Sequence, residues 1–433
     1  MAKHANLSTT SHLHLVPSTD FVSIQVPLPL LGALQSAKQG FAELCFDTGF
    51  QVVSGMMERD RETLCGPKGR HDPDRKASRA GSAPSRLTFG GRQVAIERPR
   101  VRSRDGQEIA LPSFGYFTQR DPLDARTLEA IACGVSSRNY RRHLEPLPAE
   151  GKESSVSKSA VSRRFVVLSQ KQVRERLAAP LSDFDVRIVI MDGIVLHEHT
   201  VLIALGIDSD GRKRVLGLRE GSTESEAVAK ALLRELIERG LPTDRAVLFL
   251  LDGSKALRSA ARKVFGSQAV FHRCQVHKRR NILEHLPERM QPSVKRLLEE
   301  AWSCSDAALA KRRLEQLATS LEREHPGAAA SVREGLDETL TLQKLGVDPR
   351  GALYRTLRST NSIENLNGSI GVYARNVKRW NGGSMVQRWV TAALMEAETR
   401  FRKIRGHREL AALFRTLQTF DAEQKTATAQ RVA

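Results

Sequence analysis

Two aspartates in this 433-residue chain, Asp192 and Asp252, each close a run of apolar residues and are each followed by glycine. Val186-Arg-Ile-Val-Ile-Met and Ala246-Val-Leu-Phe-Leu-Leu have the composition of buried strands, so each carboxylate is expected at a strand's C-terminal end. Asp-Gly after a strand is also simply a good turn, and neither residue taken singly separates the two readings. The pair does so if the strands are neighbours, because two adjacent carboxylates repel unless a cation lies between them. Mg²⁺ takes oxygen ligands and keeps positions for phosphate, which points to phosphodiester chemistry. A third carboxylate, Glu364, falls in the first turn of the last long helical segment. It completes such a metal set or, at the Asn361-x-x-Glu364 spacing of a capping box, caps its own helix.

The elements that must position these residues follow from periodicity. Strands are expected over Val186–Asp192, Leu196–Ile207 and Arg214–Leu218, with Asp210-Gly211 turning the last two. A helix follows from the capping box Thr223-Glu-Ser-Glu226 to Glu238 and is closed by Gly240. Then come a strand ending at Asp252, a helix over Ser254–Phe265 and a strand at Ala269-Val-Phe-His. The order β-β-β-α-β-α-β is that of a ribonuclease H-like domain, in which the ends of the first and fourth strands lie side by side. Residues 280–350 read as helices throughout, and a Gly-rich gap at Gly346 to Gly351 precedes a helical segment from Thr360. The expected class is therefore α/β: a ribonuclease H-like core (181–288 and 355–433) interrupted by an all-helical insertion (289–354).

Ahead of the core, residues 1–65 are expected to be helical, with an amphipathic stretch at Leu31 to Met57, and 66–123 to hold a linker through Ser85 and a basic hairpin. That hairpin runs from Arg92 to Arg104, turns on Asp105-Gly106 and returns through Glu108. Its arginines either track phosphates or form a solvated edge. Residues 124–180 suggest a helix-turn-helix region: Ala125 to Cys133, a turn at Gly134, then Ser136 to Leu144. A further helix opens after Val156, and its Ser157, Lys158, Ser159, Arg163 and Arg164 suit the major groove and nearby phosphates, or else lie on a surface helix of a bundle. After Glu364, Arg375, Lys378 and Arg379 begin a basic run that either holds DNA or forms solvated helix faces.

Charge supports a nucleic-acid partner. The chain carries 68 Lys+Arg against 49 Asp+Glu, a net charge of +19, and such an excess calls for an acidic partner, a polyphosphate backbone being the commonest. No G-x-x-x-x-G-K-[ST], H-E-x-x-H or G-x-S-x-G occurs, so ATP is not expected to take part. Five scattered cysteines and the lack of an apolar secretory leader or a membrane-length apolar run lead to the expectation of a cytoplasmic, nucleoid-associated protein without membrane contact. His272-x-Cys274-x-x-His277 has a spacing that invites zinc, but a fourth ligand would require Cys304 or His285 to fold back. Trp302 either stacks on a displaced base or anchors the core of the insertion.

The series Asp192-Gly, Arg239-Gly-Leu-Pro, Asp252-Gly, Arg273-Cys-Gln-Val-His-Lys-Arg-Arg-Asn281 and Ser359-Thr-Asn-Ser-Ile-Glu-Asn-Leu-Asn367 resembles the Mutator-type transposases of bacterial insertion sequences. The resemblance runs in order from about residue 125 to 405 and departs from the family at Arg358-Ser-Thr-Asn, where paired threonines are common. It implies a DDE triad of Asp192, Asp252 and Glu364 holding two Mg²⁺ ions, with Mn²⁺ as a substitute. It also implies double-stranded terminal inverted-repeat and target DNA as partners, a dimer or higher oligomer on DNA, and a place beside the active site for Cys274 and His277. Lys278 and Asn361 are expected in the same vicinity, His277 and Lys278 close to phosphate. Two rivals remain: a transposase-derived DNA-binding regulator without catalysis, and a structure-selective ribonuclease H-like nuclease.

Overall fold

The structure, a computed structural model, describes residues 38–70, 75, 77–90, 92–119, 130–131, 135–144, 153–154, 157–221, 225–377 and 379–419. The described residues of 1–125 and 138–160 form one compact unit, and those of 126–137 and 161–433 form another.

The first unit holds α1 (Lys38–Cys65), β1 (Ala77–Phe89), β2 (Arg92–Ser103), β3 (Glu108–Ile109), α2 (Pro112–Gln119), a 3₁₀ turn (Tyr140–His143) and β4 (Glu153–Ser154). Leu31 to Ala37, expected to start the first helix, lie outside the described residues. The supposed linker is largely strand: β1 pairs with β2 from Ala77↔Ser103 to Phe89↔Arg92, with a bulge between Arg79 and Ser82 where Gly81 has φ +74°. The Ser/Arg/Ala-rich run of β1 shows no apolar alternation, so its order comes from β2 rather than from local pattern. The Asp105-Gly106 turn does form, but it closes only the pairs Val101↔Ile109 and Arg102↔Glu108. Val53, Met57, Leu87, Val101 and Leu111 make the core beneath the hairpin. On its edge, Arg98 and Arg100 converge on Glu108 at 2.6 and 2.8 Å, so those charges are answered within the unit.

The expected helix-turn-helix is not formed as read. The helix assigned to Ser136–Leu144 is a turn followed by the single 3₁₀ turn Tyr140–His143, and most of the preceding helix and Gly134 lie outside the described residues. Ser136-Ser-Arg-Asn favours local side-chain bonding over helix propagation, which accounts for the difference. The next helix, α3 (Lys158–Ala178), is present at 21 residues.

The second unit takes up α3 from Val161 and continues with β5 (Val186–Leu196), β6 (His199–Asp208), β7 (Lys213–Gly221), α4 (Glu226–Glu238), β8 (Val247–Leu251), α5 (Lys255–Phe265), β9 (Ala269–Arg273) and α6 (Gln275–Leu283). Its sheet has the order β7-β6-β5-β8-β9, antiparallel across β7, β6 and β5 and parallel across β5, β8 and β9. Helix α4 is capped by Ser225, whose side chain accepts from the Val228 amide; Thr223 lies outside the described residues.

Alternation along the strands gives the sheet two buried faces. Val189, Met191, Leu202 and Phe249 pack with Leu232, Leu236, Leu257 and Ala261 of α4 and α5. Ile188, Ile190, Ile203, Leu248 and Leu250 pack on the other face against α12 (Ala352–Leu357), α13 (Asn361–Tyr373) and α14 (Gly383–Glu398), through Leu357, Ile363, Leu366, Ile370 and Val390. Each fully buried side chain of this kind contributes about 1.5–3 kcal/mol, so the face of Ile188 and Ile190 holds α13 against β5. The Arg239-Gly-Leu-Pro run is a clamp here: Arg239 Nε donates to the Ala179 carbonyl at 2.9 Å, its own carbonyl accepts from the Leu181 amide, and Gly240 has φ +106°.

Between α6 and α12 stands the helical insertion, comprising α7 (Gln291–Trp302), α8 (Ala307–Leu321), α9 (Pro326–Arg333), α10 (Leu336–Thr339) and α11 (Thr341–Lys344). Its own core gathers Val294, Leu298, Trp302, Leu314, Leu317, Leu321 and Val332. Trp302 is only 1% exposed; its Nε1 donates to Thr339 Oγ1 at 3.2 Å and its carbonyl accepts from the Tyr354 hydroxyl at 2.8 Å. A side chain so enclosed anchors the insertion and is not offered to a base. Among the described residues, no helix is long and apolar enough to cross a membrane.

Candidate active site

Asp192 does not end its strand. Strand β5 runs on to Leu196 because its hairpin with β6 continues, pairing Asp192 with Ile203 and Gly193 with Leu202. What ends at this level is the parallel ladder to β8, whose last pair is Ile190↔Leu250. Asp192 and Asp252 therefore each stand two residues past the same rung, on adjacent strands. Asp252 leaves its strand into a tight turn: its Oδ1 accepts from the Ser254 amide at 2.9 Å, and Ser254 caps α5. Gly253 has φ +119°, a conformation that favours glycine, and a Cβ there would crowd the Arg273 guanidinium at 2.7 Å.

Glu364 comes from the first turn of α13, brought in by the loop before it. The Gln275 amide donates to the Arg358 carbonyl at 2.9 Å, and the Thr360 amide donates to Cys274 Sγ at 3.4 Å, so residues 358–360 are sewn to the β9–α6 junction. The N-cap of α13 is Thr360, not Asn361, which is exposed. The Thr360 hydroxyl donates to Glu364 Oε1 at 2.8 Å and lies 3.4 Å from His277 Nδ1. His277 Nδ1 stands 3.7 Å from Glu364 Oε1. A hydrogen bond to Cys274 raises the His277 pKa above its ordinary value, against the effect of burial, and the negative charges of Glu364 and Asp252 add to the rise. Burial pushes the Cys274 thiol up, but hydrogen bonds from His277 and Thr360 outweigh it and hold the thiol below its usual range.

One residue of this constellation escaped the sequence reading. Asn367 Nδ2 donates to Asp192 Oδ2 at 2.9 Å, while its Oδ1 is buried without a partner. The amide must present nitrogen here, since its oxygen would face a carboxylate oxygen. Asn367 is three residues after Glu364, so both lie on one face of α13, and that spacing was the available signal. The carboxylates are thus linked in two ways: Asp192 through Asn367 to the turn that carries Glu364, and Glu364 through His277 to the charge of Asp252.

Lys278 is a correction. Its side chain turns away from these groups, is 1% exposed, and donates to the carbonyls of Ser331 and Glu334 in the insertion, with burial lowering its pKa to about 8. Consecutive residues on a helix point about 100° apart, and with His277 facing α13 its successor must face α9. The zinc spacing is also revised: His272 is fully buried and held neutral, its pKa lowered to about 3 by burial, and it does not join Cys274 and His277. Among the described residues, the group that gathers is Cys274, His277 and Glu364, with ligand atoms within 4.8 Å of one another.

Ser157, Lys158, Ser159 and Arg163 are exposed at the start of α3, where Ser157 Oγ accepts from the Ala160 amide; Arg164 is half-buried and has a partner. Arg375 and Arg379 are exposed, and Lys378 lies outside the described residues. Trp389 packs on Phe165 with ring centroids 4.8 Å apart.

Chemically, the arrangement offers hard oxygen donors from one strand, one strand end and one helix. Among the described residues neither Asp252 nor Glu364 pairs with an Arg or Lys, whereas nearby Glu299 pairs with Arg358 at 2.7 Å and Glu334 with Arg273 at 3.1 Å. Carboxylates left without a guanidinium in so basic a chain suit a metal cation.

The family described as "Transposase, Mutator family" matches residues 30–403, a span that takes in all three carboxylates. The transposase for insertion sequence element IS256 in transposon Tn4001 of Staphylococcus aureus is 28% identical over 357 residues, covering 80% of this chain and 87% of its own length. The transposase for insertion sequence element ISRM5 of Rhizobium meliloti is 28% identical over 341 residues, covering 78% and 82%. That for element IS1081 of Mycobacterium tuberculosis is 24% identical over 397 residues, covering 87% and 90%.

Proposed function

The chain belongs to the Mutator family of transposases, and on that premise we propose that it binds the terminal inverted repeats of an insertion sequence and carries out metal-dependent DNA strand cleavage and strand transfer on a ribonuclease H-like core. The observations that support this reading are that Asp192 and Asp252 each stand two residues past the same rung of adjacent strands, and that Asn367, one turn after Glu364 on α13, donates to Asp192. The sheet order β7-β6-β5-β8-β9, with one parallel and one antiparallel side, supports the fold assignment.

Asp192, Asp252 and Glu364 would hold two Mg²⁺ ions, with Mn²⁺ as a substitute, and their oxygen-only donor set fits these ions. When bound, the ions supply activation of the attacking oxygen and stabilisation of the leaving one at phosphorus. The chain's own groups orient the ligands. Asn367 ties down one oxygen of Asp192, the Ser254 amide one of Asp252, and the Thr360 hydroxyl one of Glu364, which fixes the orientation of each carboxylate. The exposed start of α3 (Ser157, Lys158, Ser159, Arg163) and the basic residues Arg375 and Arg379 are the surfaces that would hold DNA phosphates. Lys378 completes that basic run in sequence. Cleavage and transfer by one metal-holding site need no ATP, and joining two DNA ends to a target requires at least a dimer on DNA.

The test is incubation of the protein with labelled DNA from the borders of its own gene in Mg²⁺. Nicking confined to the element ends, followed by joined products, is the expected result. Binding without cleavage, in Mn²⁺ as well, would favour a regulator, and cleavage blind to end sequence would favour a nuclease.

A further inference from the structure

The three carboxylates do not exhaust the donors at this place. Cys274 Sγ, one nitrogen of His277 and one oxygen of Glu364 lie within 4.8 Å of one another, with His277 Nδ1 3.7 Å from Glu364 Oε1. Zinc–ligand bonds of 2.0–2.3 Å in a tetrahedron put ligand atoms roughly 3.5 Å from each other, so small side-chain rotations would close this group around an ion. The donors are a sulfur, an imidazole and a carboxylate, a set that suits a borderline cation such as Zn²⁺ and not Mg²⁺, which demands oxygen. All three are held from one centre: the Thr360 amide donates to Cys274, and the Thr360 hydroxyl contacts both His277 and Glu364. Cys274 is buried at the base, while the side chains of His277 and Glu364 are 22% and 34% exposed, which leaves an entry path and room for water as a fourth ligand.

We propose that Cys274, His277 and Glu364 form a second metal site that binds Zn²⁺, and that its occupation switches off the DNA-cutting centre by withdrawing Glu364 from the oxygen set. Binding itself rests on the geometry of these three residues; only its inhibitory consequence rests on the reading of Glu364 as a Mg²⁺ ligand. On binding, the Cys274 thiol releases its proton to solvent and coordinates as thiolate. Zn²⁺ on the Thr360-held oxygen of Glu364, the one that faces His277, takes up the charge of that carboxylate and turns it toward Cys274 and His277, which weakens its hold on the ions at Asp192 and Asp252.

The experiment uses the full-length protein freed of metal and titrated with Co²⁺, which shares zinc's acceptance of tetrahedral thiolate sites and is visible by absorption. One equivalent is expected to give a thiolate-to-cobalt charge-transfer band, removed by Zn²⁺. The band should vanish in Cys274→Ser, persist in Cys304→Ser and Asp192→Asn, and require about tenfold more Co²⁺ in Glu364→Gln. Glu364 is partly exposed, so that variant remains informative if Cys274→Ser does not fold. In Mg²⁺, one equivalent of Zn²⁺ is expected to slow wild-type end cleavage about tenfold or more, reversed by a chelator selective for zinc. No band, or a band unchanged by both Cys274→Ser and Glu364→Gln, overturns the site. A band that responds to these variants while Zn²⁺ leaves cleavage untouched overturns the switch. Because the band is read without turnover, a protein that shows it but never cuts DNA refutes the transposase reading and leaves the zinc site standing.

Discussion

His277 and Lys278 are neighbours in α6, yet they serve opposite ends. On the His277 side, Cys274, Thr360, Glu364 and the charge of Asp252 are gathered with polar contacts but, among the described residues, no Arg or Lys partner for the Asp252 or Glu364 carboxylate. On the Lys278 side, Lys278 and Arg273 both donate to the Glu334 carbonyl, and Arg273 adds an ion pair with the Glu334 carboxylate at 3.1 Å. A guanidinium meets a carboxylate on the second side, whereas on the first, among the described residues, the one basic group that meets the Glu364 carboxylate is the His277 ring. The difference falls within two turns of chain: the Lys278 side fastens the insertion to the end of β9, and the His277 side gathers donors proposed to hold a cation.

The largest effect that sharpens this contrast is expected in Arg273→Met. The Arg273 side chain is 7% exposed, lies over Gly253 and Gly335, and holds Glu334 through two groups. Its loss should cost about 2–3 kcal/mol of stability in urea unfolding, discounted because Glu334 is half-exposed. End cleavage well below the unfolding midpoint should fall only a fewfold, and a loss as deep as that of a triad variant would erase the distinction between the two sides.

Asn367→Ala acts on the other side with a smaller effect. It removes the Asn367 donor from Asp192 Oδ2, so end cleavage should drop about 10- to 100-fold, with DNA binding and melting temperature nearly unchanged. As a positioning residue, Asn367 should also shift the Mg²⁺ concentration needed for half-maximal rate, which a purely structural residue would not do. An unchanged metal requirement would remove it from the site.

Much of this was legible because the core strands are short apolar runs bounded by Gly, Asp and Ser, and their order alone brings residues 192 and 252 together. The helical insertion was equally plain from the run of helical periodicity after α6. What escaped depended on partners distant in sequence. Strand β1 gains its order from β2, and a Ser/Arg/Ala/Gly run gives no local sign of that. Asp192 was expected at a strand end, but the end belongs to the ladder with β8 and not to β5 itself. Lys278 is expected close to phosphate as the neighbour of His277, whereas two carbonyls of the insertion, more than fifty residues on, decide its direction. Asn367 was missed although its i+3 spacing from Glu364 was visible, because an amide carries no charge to draw attention to it.

In the proposed centre, Asp192, Asp252 and Glu364 share the metal ions at which DNA is cut. The most direct test replaces each in turn by cysteine, a ligand that accepts Mn²⁺ far better than Mg²⁺. Asp192→Cys, Asp252→Cys and Glu364→Cys should bind end DNA normally, lose cleavage by about three orders of magnitude in Mg²⁺, and recover a substantial part of it in Mn²⁺. Full cleavage in Mg²⁺ by any of the three, or failure of Mn²⁺ to rescue all of them while folding and DNA binding persist, would contradict it.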